Sequence, residues 1–272
     1  MPEGPEIKIE ADKIAAAICG EVIDDVFFAQ DGLKQHERRL RGAKVKQVTA
    51  RGKAMLIHFD NDLTMYSHNQ LYGRWYTRAR GEIPHTNRTL RAALHAPTMS
   101  ALLYSASEIA VLSPQQLEHQ AYLKKLGPNP LEENLDWRDF VARLRDEKFA
   151  RRTLGALYLD QQFIAGIGNY LRSEILFRAA LLPDRALRDL TTNEVNRLAR
   201  ATVTITRRAY EKKGITNPAK RVAELKKQGC KRGAYRFAVF ARAGKPCYEC
   251  GQRIKRIEFG GRRLYLCKAC QN

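Results

Sequence analysis

Four cysteines near the C-terminus constrain the fold of this chain most strongly. They occur as Cys247-x2-Cys250-x16-Cys267-x2-Cys270. Two Cys-x2-Cys pairs at this separation are typical of a zinc site in which four thiolates surround one tetrahedral ion. The other two cysteines lie far from this group in the sequence, which disfavours a disulfide framework. We therefore predict one structural Zn²⁺ ion, bound by Cys247, Cys250, Cys267 and Cys270.

The segment between the two cysteine pairs predicts a β-hairpin over Arg253–Leu266. Gly260-Gly261 forms its turn in this interpretation, and Arg262-Arg263 follows directly after the tip. A zinc-bound hairpin holds such an arginine rigidly, which suits insertion into a groove of DNA.

The charge of the chain points to a polyanionic partner. Its 272 residues include 48 Lys and Arg against 29 Asp and Glu, a formal net charge of +19. Such an excess favours nucleic acid as the partner, with an affinity that falls steeply as salt rises. The sequence has no apolar run of about 18 residues, and its N-terminus is acidic, so neither a membrane span nor a signal peptide fits. We expect a soluble intracellular protein.

The first half of the chain predicts one helix followed by a β-sandwich. The helix is Pro5–Cys19, with one apolar stripe at Ile7, Ala11, Ile14 and Ile18. Eight short alternating runs separated by turn residues are typical of an all-β sandwich. These predicted strands are Val22–Phe28, Val45–Thr49, Ala54–Phe59, Leu63–Ser67, Arg74–Thr77, Leu90–His95, Ser100–Tyr104 and Glu108–Leu112.

The second half becomes helical after a linker that begins at Leu126-Gly127-Pro128. Candidate helices are Leu135–Arg145, Arg152–Leu159 and one that starts at Asn169, and a capping box at Thr191 opens a longer one. The basic stretch Ile215–Gly233 is either a mobile loop or a marginal short helix.

The fold class that follows is α+β and multidomain. We expect an N-terminal β-sandwich domain over residues 1–126 and a linker over 127–134. A helical domain over 135–237 and a zinc finger over 238–272 complete the expected organisation.

The residues after Met1 carry candidate catalytic groups. A small residue follows Met1, so we expect Met1 to be removed and Pro2 to provide a free secondary amine. An α-amino group titrates near about pH 8, so part of it is an unprotonated nucleophile at neutral pH. Such an amine can form a Schiff base with a sugar aldehyde, and the neighbouring Glu3 carboxyl can transfer protons. The alternative is a disordered terminus without a function.

Three further segments have both a functional and a structural interpretation. Lys53 lies in a turn between two predicted strands and is either a phosphate ligand or a solvated charge. Gln70, Leu71 and Tyr72 lie at another turn, where Leu71 and Tyr72 either pack inward or form an exposed wedge that unstacks DNA. Asn169 follows two glycines and either caps a helix or presents its amide to a phosphate.

Together these motifs make the chain resemble the bacterial formamidopyrimidine-DNA glycosylase/endonuclease VIII family of base-excision repair enzymes over essentially its full length. The resemblance is carried by Pro-Glu-Gly-Pro-Glu at 2–6, Arg-Gly-Lys at 51–53, Gly-Pro at 127–128, the segment 160–169 and the four cysteines with Arg262. The stretch Tyr66–Gly73 is similar to the endonuclease VIII branch rather than to the purine-directed branch.

The resemblance implies a helix-two-turn-helix module within the helical domain and an enzyme that binds double-stranded DNA containing oxidised bases or abasic sites. The implied activity is that of a DNA glycosylase and AP lyase that favours oxidised pyrimidines and completes β,δ-elimination. It further implies a monomer in the bacterial cytoplasm, associated with the nucleoid.

Site roles also follow from the resemblance. Pro2 is expected to attack C1′, Glu3 to transfer protons, Lys53 to assist β-elimination and Arg262 to serve δ-elimination. The residues expected to bind DNA are Gln70, Leu71, Tyr72, Lys125 and Asn169.

Two alternatives stay open. An enzyme for oxidised purines is one, because Ile215–Gly233 is longer and more basic than expected for the endonuclease VIII branch, and a loop in this region reads damaged purines in the sister branch. A non-catalytic zinc-finger protein that binds DNA is the other. Charge and cysteines permit it, whereas Pro2, Glu3 and Lys53 argue against it.

Overall fold

The computed structural model describes residues 2–272, which form two compact units. The first unit consists of Pro2 and Glu6–Lys125, and the second of Glu3–Pro5 and Leu126–Asn272. The short segment Glu3–Pro5 therefore packs with the second unit, although it lies near the beginning of the sequence.

The first unit contains the predicted N-terminal helix and the predicted strands. Helix α1 spans Gly4–Ile18, and the four residues of its apolar stripe are at most 1% exposed. The strands agree with the prediction to within three residues at each end. They are β1 Asp25–Phe28, β2 Val45–Arg51, β3 Ala54–Phe59, β4 Thr64–His68, β5 Arg74–Ala79, β6 Leu90–His95, β7 Met99–Tyr104 and β8 Glu108–Leu112.

These strands form two antiparallel sheets of four strands each within residues 2–272. Their orders are β1-β6-β7-β5 and β2-β3-β4-β8. The stripe of α1 joins inward-facing residues of both sheets in one apolar core, which includes Phe28, Ile57, Met65 and Leu103. The predicted β-sandwich is confirmed.

A second helix in this unit corrects the sequence prediction. Helix α2 spans Asp31–Leu40, between β1 and β2, where the sequence predicted only turn residues between two strands. Its residues are mostly polar. It is held to the unit by the buried Leu40 side chain and by the Glu37 carboxylate, which accepts the Phe28 N–H at 2.7 Å. Leu33 and Leu40 are its only large apolar residues, too few to mark an apolar stripe in the sequence. Two short helices follow β8, α3 at Pro114–Glu118 and α4 at Ala121–Lys124.

The second unit is helical up to its C-terminal hairpin. The capping box at Thr191 is confirmed, since its hydroxyl accepts the Glu194 N–H at 3.3 Å and the Glu194 carboxylate accepts the Thr191 N–H at 2.8 Å. None of the helices in residues 2–272 is long and apolar enough to cross a membrane. The helices of this unit are α5 Trp137–Leu144, α6 Leu154–Leu157, α7 Asn169–Arg178, α8 Thr192–Glu211, α9 Ala219–Lys227 and α10 Arg232–Tyr235.

The stretch Ile215–Gly233 contains a helix. Helix α9 occupies its centre, so the short-helix alternative is correct and the loop alternative is not. The Arg221 guanidinium at its first turn forms an ion pair with Glu249 at 2.8 Å, which fixes α9 beside the first cysteine pair.

The predicted hairpin is also present. Strands β9 (Lys255–Phe259) and β10 (Arg262–Leu266) pair in antiparallel register, with Phe259 opposite Arg262. Gly260 and Gly261 form the turn with φ angles of 61° and 68°, which the two-residue turns that suit hairpin twist require. Arg262 therefore lies directly after the tip, as predicted.

Candidate functional site

The Glu3 carboxylate is bound by the N-terminus of α7. Its Oε2 accepts the N–H of Gly168 at 2.8 Å and of Leu171 at 3.2 Å, and its Oε1 accepts the N–H of Tyr170 at 2.8 Å. The first N–H groups of a helix have no partner within the helix, and the positive end of the helix dipole attracts an anion. Glu3 is only 2% exposed, so this site is buried as well as charged.

Gly168 makes this close approach possible. A Cβ atom at position 168 would lie 2.4 Å from the Glu3 carboxyl carbon, closer than atoms in real structures come. The glycine therefore provides the space that the carboxylate occupies. Pro2, the preceding residue, is half-buried, and Met1 lies outside the described residues, so its predicted removal stays a prediction.

This arrangement corrects the structural interpretation of Asn169. Gly168 is the N-cap of α7 and Asn169 is its first helical residue. The cap itself comes from Glu3, which is 165 residues away in sequence from Gly168. The Asn169 side chain is half-buried, and its Oδ1 accepts a weak hydrogen bond from Arg172 Nη2 at 3.5 Å.

In the first unit, strand register brings Lys53 and Gln70 to the same end of the neighbouring strands β3 and β4 in one sheet. Ala54 pairs with His68, and His68 pairs with Glu108 across the next strand. Lys53 immediately precedes Ala54, and Gln70 follows His68 by two residues.

Hydrogen bonds and a ring contact connect the side chains and backbone groups at this end of the sheet. The Lys53 N–H donates to the Tyr122 hydroxyl at 2.9 Å, and the Tyr122 ring packs edge-on against His68 at a centroid distance of 5.1 Å. His68 Nδ1 accepts the Gln70 N–H at 3.1 Å, and Gln70 Nε2 donates to Glu108 at 3.1 Å. His68 is thus a structural hydrogen-bonding residue.

Burial shifts the pKa values of Tyr122 and His68, the two ring side chains in this network. It raises the pKa of Tyr122 to about 12, with a smaller upward contribution from Glu108. It lowers the pKa of His68, which the Lys53 charge also lowers and Glu108 raises. Both side chains are therefore neutral at physiological pH.

The turn that follows β4 projects two apolar side chains into solvent. Leu71 is 57% exposed and Tyr72 is 68% exposed, which excludes the alternative that they pack inward. Gln70 adopts a positive φ of 46°, and the Gly73 N–H donates to Asn69 O at 2.7 Å, closing the turn. We call residues 69–73 the wedge turn.

The first residue of the wedge turn, Asn69, is hydrogen-bonded to α1. Asn69 is 3% exposed, and its Nδ2 donates to Glu10 Oε2 at 2.8 Å. Burial raises the pKa of Glu10 to about 7, against the opposing effects of Asn69, Arg74 and Lys13. Nothing in the sequence pattern pairs these two positions.

The hairpin tip and α7 meet at the buried side chain of Arg172. Its guanidinium donates to the carbonyl oxygens of Arg263 at 3.2 Å and of Arg262 at 3.4 Å, beside its contact with Asn169. Within the second unit, the structure thus brings together Glu3, Asn169 and the backbone of Arg262. The Arg262 side chain is exposed, and Lys125 in the first unit is exposed after α4.

The four predicted metal ligands form one cluster. The Sγ atoms of Cys247, Cys250, Cys267 and Cys270 all lie within 4.8 Å of one another. Sγ–Sγ separations are 3.9 Å for Cys247–Cys270 and 3.4 Å for Cys250–Cys267. Zn–S bonds of about 2.3 Å in a tetrahedron require sulfurs roughly 3.8 Å apart, so the donor set fits zinc.

Several residues of these sites were not identified from the sequence. Tyr122 and Glu108 act through contacts between distant segments, and Arg172 is indistinguishable in sequence from any helical arginine. Glu174 is a buried carboxylate that accepts the N–H groups of Ala238, Val239 and Phe240, each at 2.8 Å. Its position five residues after Asn169 gave no local sign of this role.

Family models match three successive parts of the chain. The formamidopyrimidine-DNA glycosylase N-terminal domain matches residues 1–106, and the formamidopyrimidine-DNA glycosylase H2TH domain matches residues 126–220. The zinc finger found in FPG and IleRS matches residues 244–272.

Similar proteins cover the whole chain. Endonuclease 8 of Escherichia coli O6:K15:H31 is 43% identical over 272 residues, and that of Shigella sonnei is 42% identical, with all of each chain covered. Among solved structures, a Lactococcus lactis Fpg bound to abasic-site DNA has a TM-score of 0.80 at 21% identity over 99% of both chains. The same protein bound to DNA with an oxidised pyrimidine has a TM-score of 0.80 at 22% identity over 99% of both chains, and these likenesses show a shared fold.

Proposed function

The chain belongs to the formamidopyrimidine-DNA glycosylase/endonuclease VIII family of base-excision repair, whose members are DNA glycosylases with AP lyase activity, and we propose that it removes oxidised pyrimidines by Schiff-base chemistry at Pro2. The observation that carries the proposal is the binding of the Glu3 carboxylate at the N-terminus of α7. This contact fixes a proton-transferring group one residue from the nucleophile.

The proposed reaction begins at C1′ of the damaged nucleoside. The Pro2 nitrogen forms a bond to C1′ as the glycosidic bond breaks, and the base leaves with the bonding electron pair and a proton. Opening of the sugar ring then gives a cationic iminium between Pro2 and C1′. Glu3 transfers protons in this phase in our proposal, because it is the residue next to Pro2 in the sequence and a carboxyl group can accept and donate protons.

Strand cleavage follows from the electron demand of the iminium. Loss of the C2′ proton sends its electron pair towards C1′, and the bond from C3′ to the 3′-phosphate breaks. We propose that Lys53 assists this β-elimination and binds a phosphate, and that Arg262 serves the second elimination, which expels the 5′-phosphate. A final hydrolysis of the iminium by water returns the free amine.

We propose that DNA is bound by exposed turns and helix ends of both units. Gln70, Lys125 and Asn169 contact the DNA in this proposal, and Leu71 with Tyr72 fills the stack after the damaged nucleotide leaves it. The exposure of both wedge side chains supports this role.

The pyrimidine preference rests on the wedge turn and on the relatives that carry the name Endonuclease 8. We also propose that the cysteine cluster binds a single zinc ion, that the enzyme acts as a monomer and that it associates with the nucleoid. The proposed domains are 1–126, the linker 127–134, 135–237 and 238–272. Metal analysis of the reduced protein should give one zinc per chain, and a protein without zinc would contradict that stoichiometry.

Borohydride trapping tests the proposed chemistry. Incubation with duplex DNA that carries an oxidised pyrimidine should give a covalent adduct after reduction, and peptide mapping should locate it on Pro2. Pro2→Gly should retain some trapping, because it keeps a terminal amine, whereas protein that keeps Met1 should lose nearly all excision. An adduct mapped to Lys53 would overturn the mechanism. Faster excision of an oxidised purine from a matched duplex would overturn the pyrimidine preference.

A further inference from the structure

Arg172 is an arginine in an unusual environment. It lies on α7, three residues after Asn169, and it has the largest side chain among the fully buried residues of the described chain. Charged side chains are almost never fully buried unless they are paired. The hydrogen bonds of this guanidinium go instead to carbonyl oxygens of three segments.

These hydrogen bonds connect α6, α7 and both sides of the hairpin turn. Nη1 donates to Gly155 O of α6 at 2.8 Å and to Phe259 O at 3.4 Å. Nη2 donates to Arg263 O at 3.2 Å and to Arg262 O at 3.4 Å. Phe259 and Arg262 are paired on either side of the Gly260-Gly261 turn, so one guanidinium holds the tip from both strands.

The same guanidinium also orients Asn169. Nη2 is 3.5 Å from Asn169 Oδ1, at the outer limit of a hydrogen bond. With its oxygen directed to Arg172, the Asn169 amide has its N–H₂ group left to donate to an acceptor such as a phosphate oxygen.

The charge of Arg172 persists despite its burial. Desolvation lowers its pKa to about 10, the nearby Glu3 carboxylate raises it and Arg262 lowers it. At neutral pH the side chain is still protonated, with five N–H donors in one rigid plane. A lysine offers three donors at a single point, so it cannot reach carbonyl groups on both strands and on α6 together.

We propose that Arg172 is a positioning residue for strand cleavage, which fixes the backbone of Arg262 and the amide of Asn169 relative to each other. This inference rests on the proposed roles of Arg262 and Asn169. Release of the hairpin tip would move the Arg262 side chain, and displacement of a catalytic group by about 1 Å can cost on the order of 100-fold in rate. The second elimination, which uses Arg262, should suffer more than the first.

The test compares Arg172→Lys with a matched control, Arg207→Lys. Arg207 is a half-buried arginine that also donates to several carbonyl oxygens, those of Pro130, Glu132 and Leu135, away from the hairpin. In Arg172→Lys the rate of δ-elimination should fall about tenfold relative to β-elimination, while Pro2 trapping stays within about threefold. The control should show neither change, and zinc content should be equal in all proteins.

Amide hydrogen exchange provides a readout that does not depend on the reaction. Exchange of the backbone amides at 258–264 should be faster in Arg172→Lys than in the wild type, and unchanged in Arg207→Lys. Arg172→Gln, whose shorter side chain is polar but does not reach the carbonyl groups that Nη1 and Nη2 contact, gives the same comparison if the lysine variant does not fold. Unchanged exchange at the hairpin tip would overturn the positioning role.

A double variant separates this inference from the proposed function. If Arg172 acts through Arg262, then Arg172→Lys combined with Arg262→Ala should give the same product ratio as Arg262→Ala alone. Additive losses of δ-elimination would overturn the inference. An unchanged product ratio in Arg262→Ala itself would instead overturn the proposed role of Arg262, and the exchange experiment would then decide the positioning role by itself.

Discussion

At the residue scale, the Glu3 carboxylate combines an observed structural role with the chemical role that we propose for it. It replaces the missing cap of α7 by accepting three backbone N–H groups, and it directly follows Pro2 in the sequence. Hydrogen bonds from N–H groups and the helix dipole favour its negatively charged form. We therefore expect Glu3 to act first as a proton acceptor from the attacking amine.

Glu3→Gln should separate the two steps of the reaction. The amide cannot accept the proton, so base excision should fall by about 100-fold or more. Cleavage at a preformed abasic site should be affected far less, because no glycosidic bond has to break. Single-turnover rates on a damaged duplex and on an abasic duplex measure the two effects.

Gly168→Ala provides an independent check on this prediction. Its methyl group would occupy the space of the Glu3 carboxyl group. The variant should therefore lose base excision from a damaged duplex to a greater extent than cleavage at a preformed abasic site. Equal losses on both substrates in Glu3→Gln would show that the carboxylate serves the lyase step as well. Full excision activity in Gly168→Ala would show that the contact with α7 is dispensable.

The raised pKa of Glu10 predicts that folding stability depends on pH. Its pKa is about 7 in the folded protein and its ordinary value is 4.5, so between these values the folded state binds more protons than the unfolded state. Stability should therefore fall as pH rises through this window, by roughly 1–3 kcal/mol. Glu10→Gln should remove this loss, because its side chain does not ionise.

Urea unfolding from about pH 5 to about pH 8 measures this difference. The charged neighbours Glu6, Lys13 and Arg74 stay unchanged in the variant. An exposed glutamate at the end of α1, Glu21, provides the control substitution Glu21→Gln, which should leave the pH profile as it is in the wild type. Parallel profiles for wild type and Glu10→Gln would contradict the prediction.

At the element scale, the wedge turn exposes the side chains of Leu71 and Tyr72, while its first residue, Asn69, is buried and hydrogen-bonded to Glu10. Leu71→Ala should reduce excision from duplex DNA about tenfold, since the wedge no longer compensates for the unstacking of the damaged base. The loss on a damaged single strand should be within about twofold, because no stack has to be opened there. Excision rates on the two substrates measure the difference.

Ile83→Ala is the matched control for this prediction. Ile83 is another exposed aliphatic side chain of the first unit, 79% exposed, and it lies outside the wedge turn. Its removal should change neither rate. Equal losses on both substrates in Leu71→Ala would argue for a general effect on stability.

The elements that the sequence predicts are those with a local signal. Alternation between turn residues located all eight strands, and ligand spacing located the cysteine cluster and its hairpin. Helix α2 was missed because its sequence is mostly polar, with only Leu33 and Leu40 to mark its apolar side. The cap of α7 by Glu3 and the hairpin contact of Arg172 were missed for another reason. Each depends on burial between segments about 90 or more residues apart, which no local pattern encodes.

At the scale of the whole molecule, the net charge of +19 predicts how DNA binding responds to salt. Each phosphate neutralised by a lysine or arginine contributes about −0.9 to the slope of log affinity against log salt. Lys125→Gln should therefore reduce the slope by about 0.9, and it should weaken binding to damaged and undamaged duplexes alike.

Binding titrations with an unreactive abasic-site analogue at several salt concentrations measure this slope. Lys34→Gln on α2 changes the net charge by the same amount and should leave the slope as it is. An unchanged slope in Lys125→Gln would exclude a phosphate contact at position 125. An affinity that barely responds to salt would contradict phosphate binding by the protein as a whole.

The cap of α7 by Glu3 also has a consequence for the order of events during synthesis. Glu3 leaves the ribosome first, but its partners at Gly168, Tyr170 and Leu171 are translated about 165 residues later. Throughout that interval the N-terminus has no binding site and stays accessible to the aminopeptidase that would remove Met1. A chain that ends before α7 would carry Glu3 without its anchor, so the nascent enzyme should become active only once the second unit has been made.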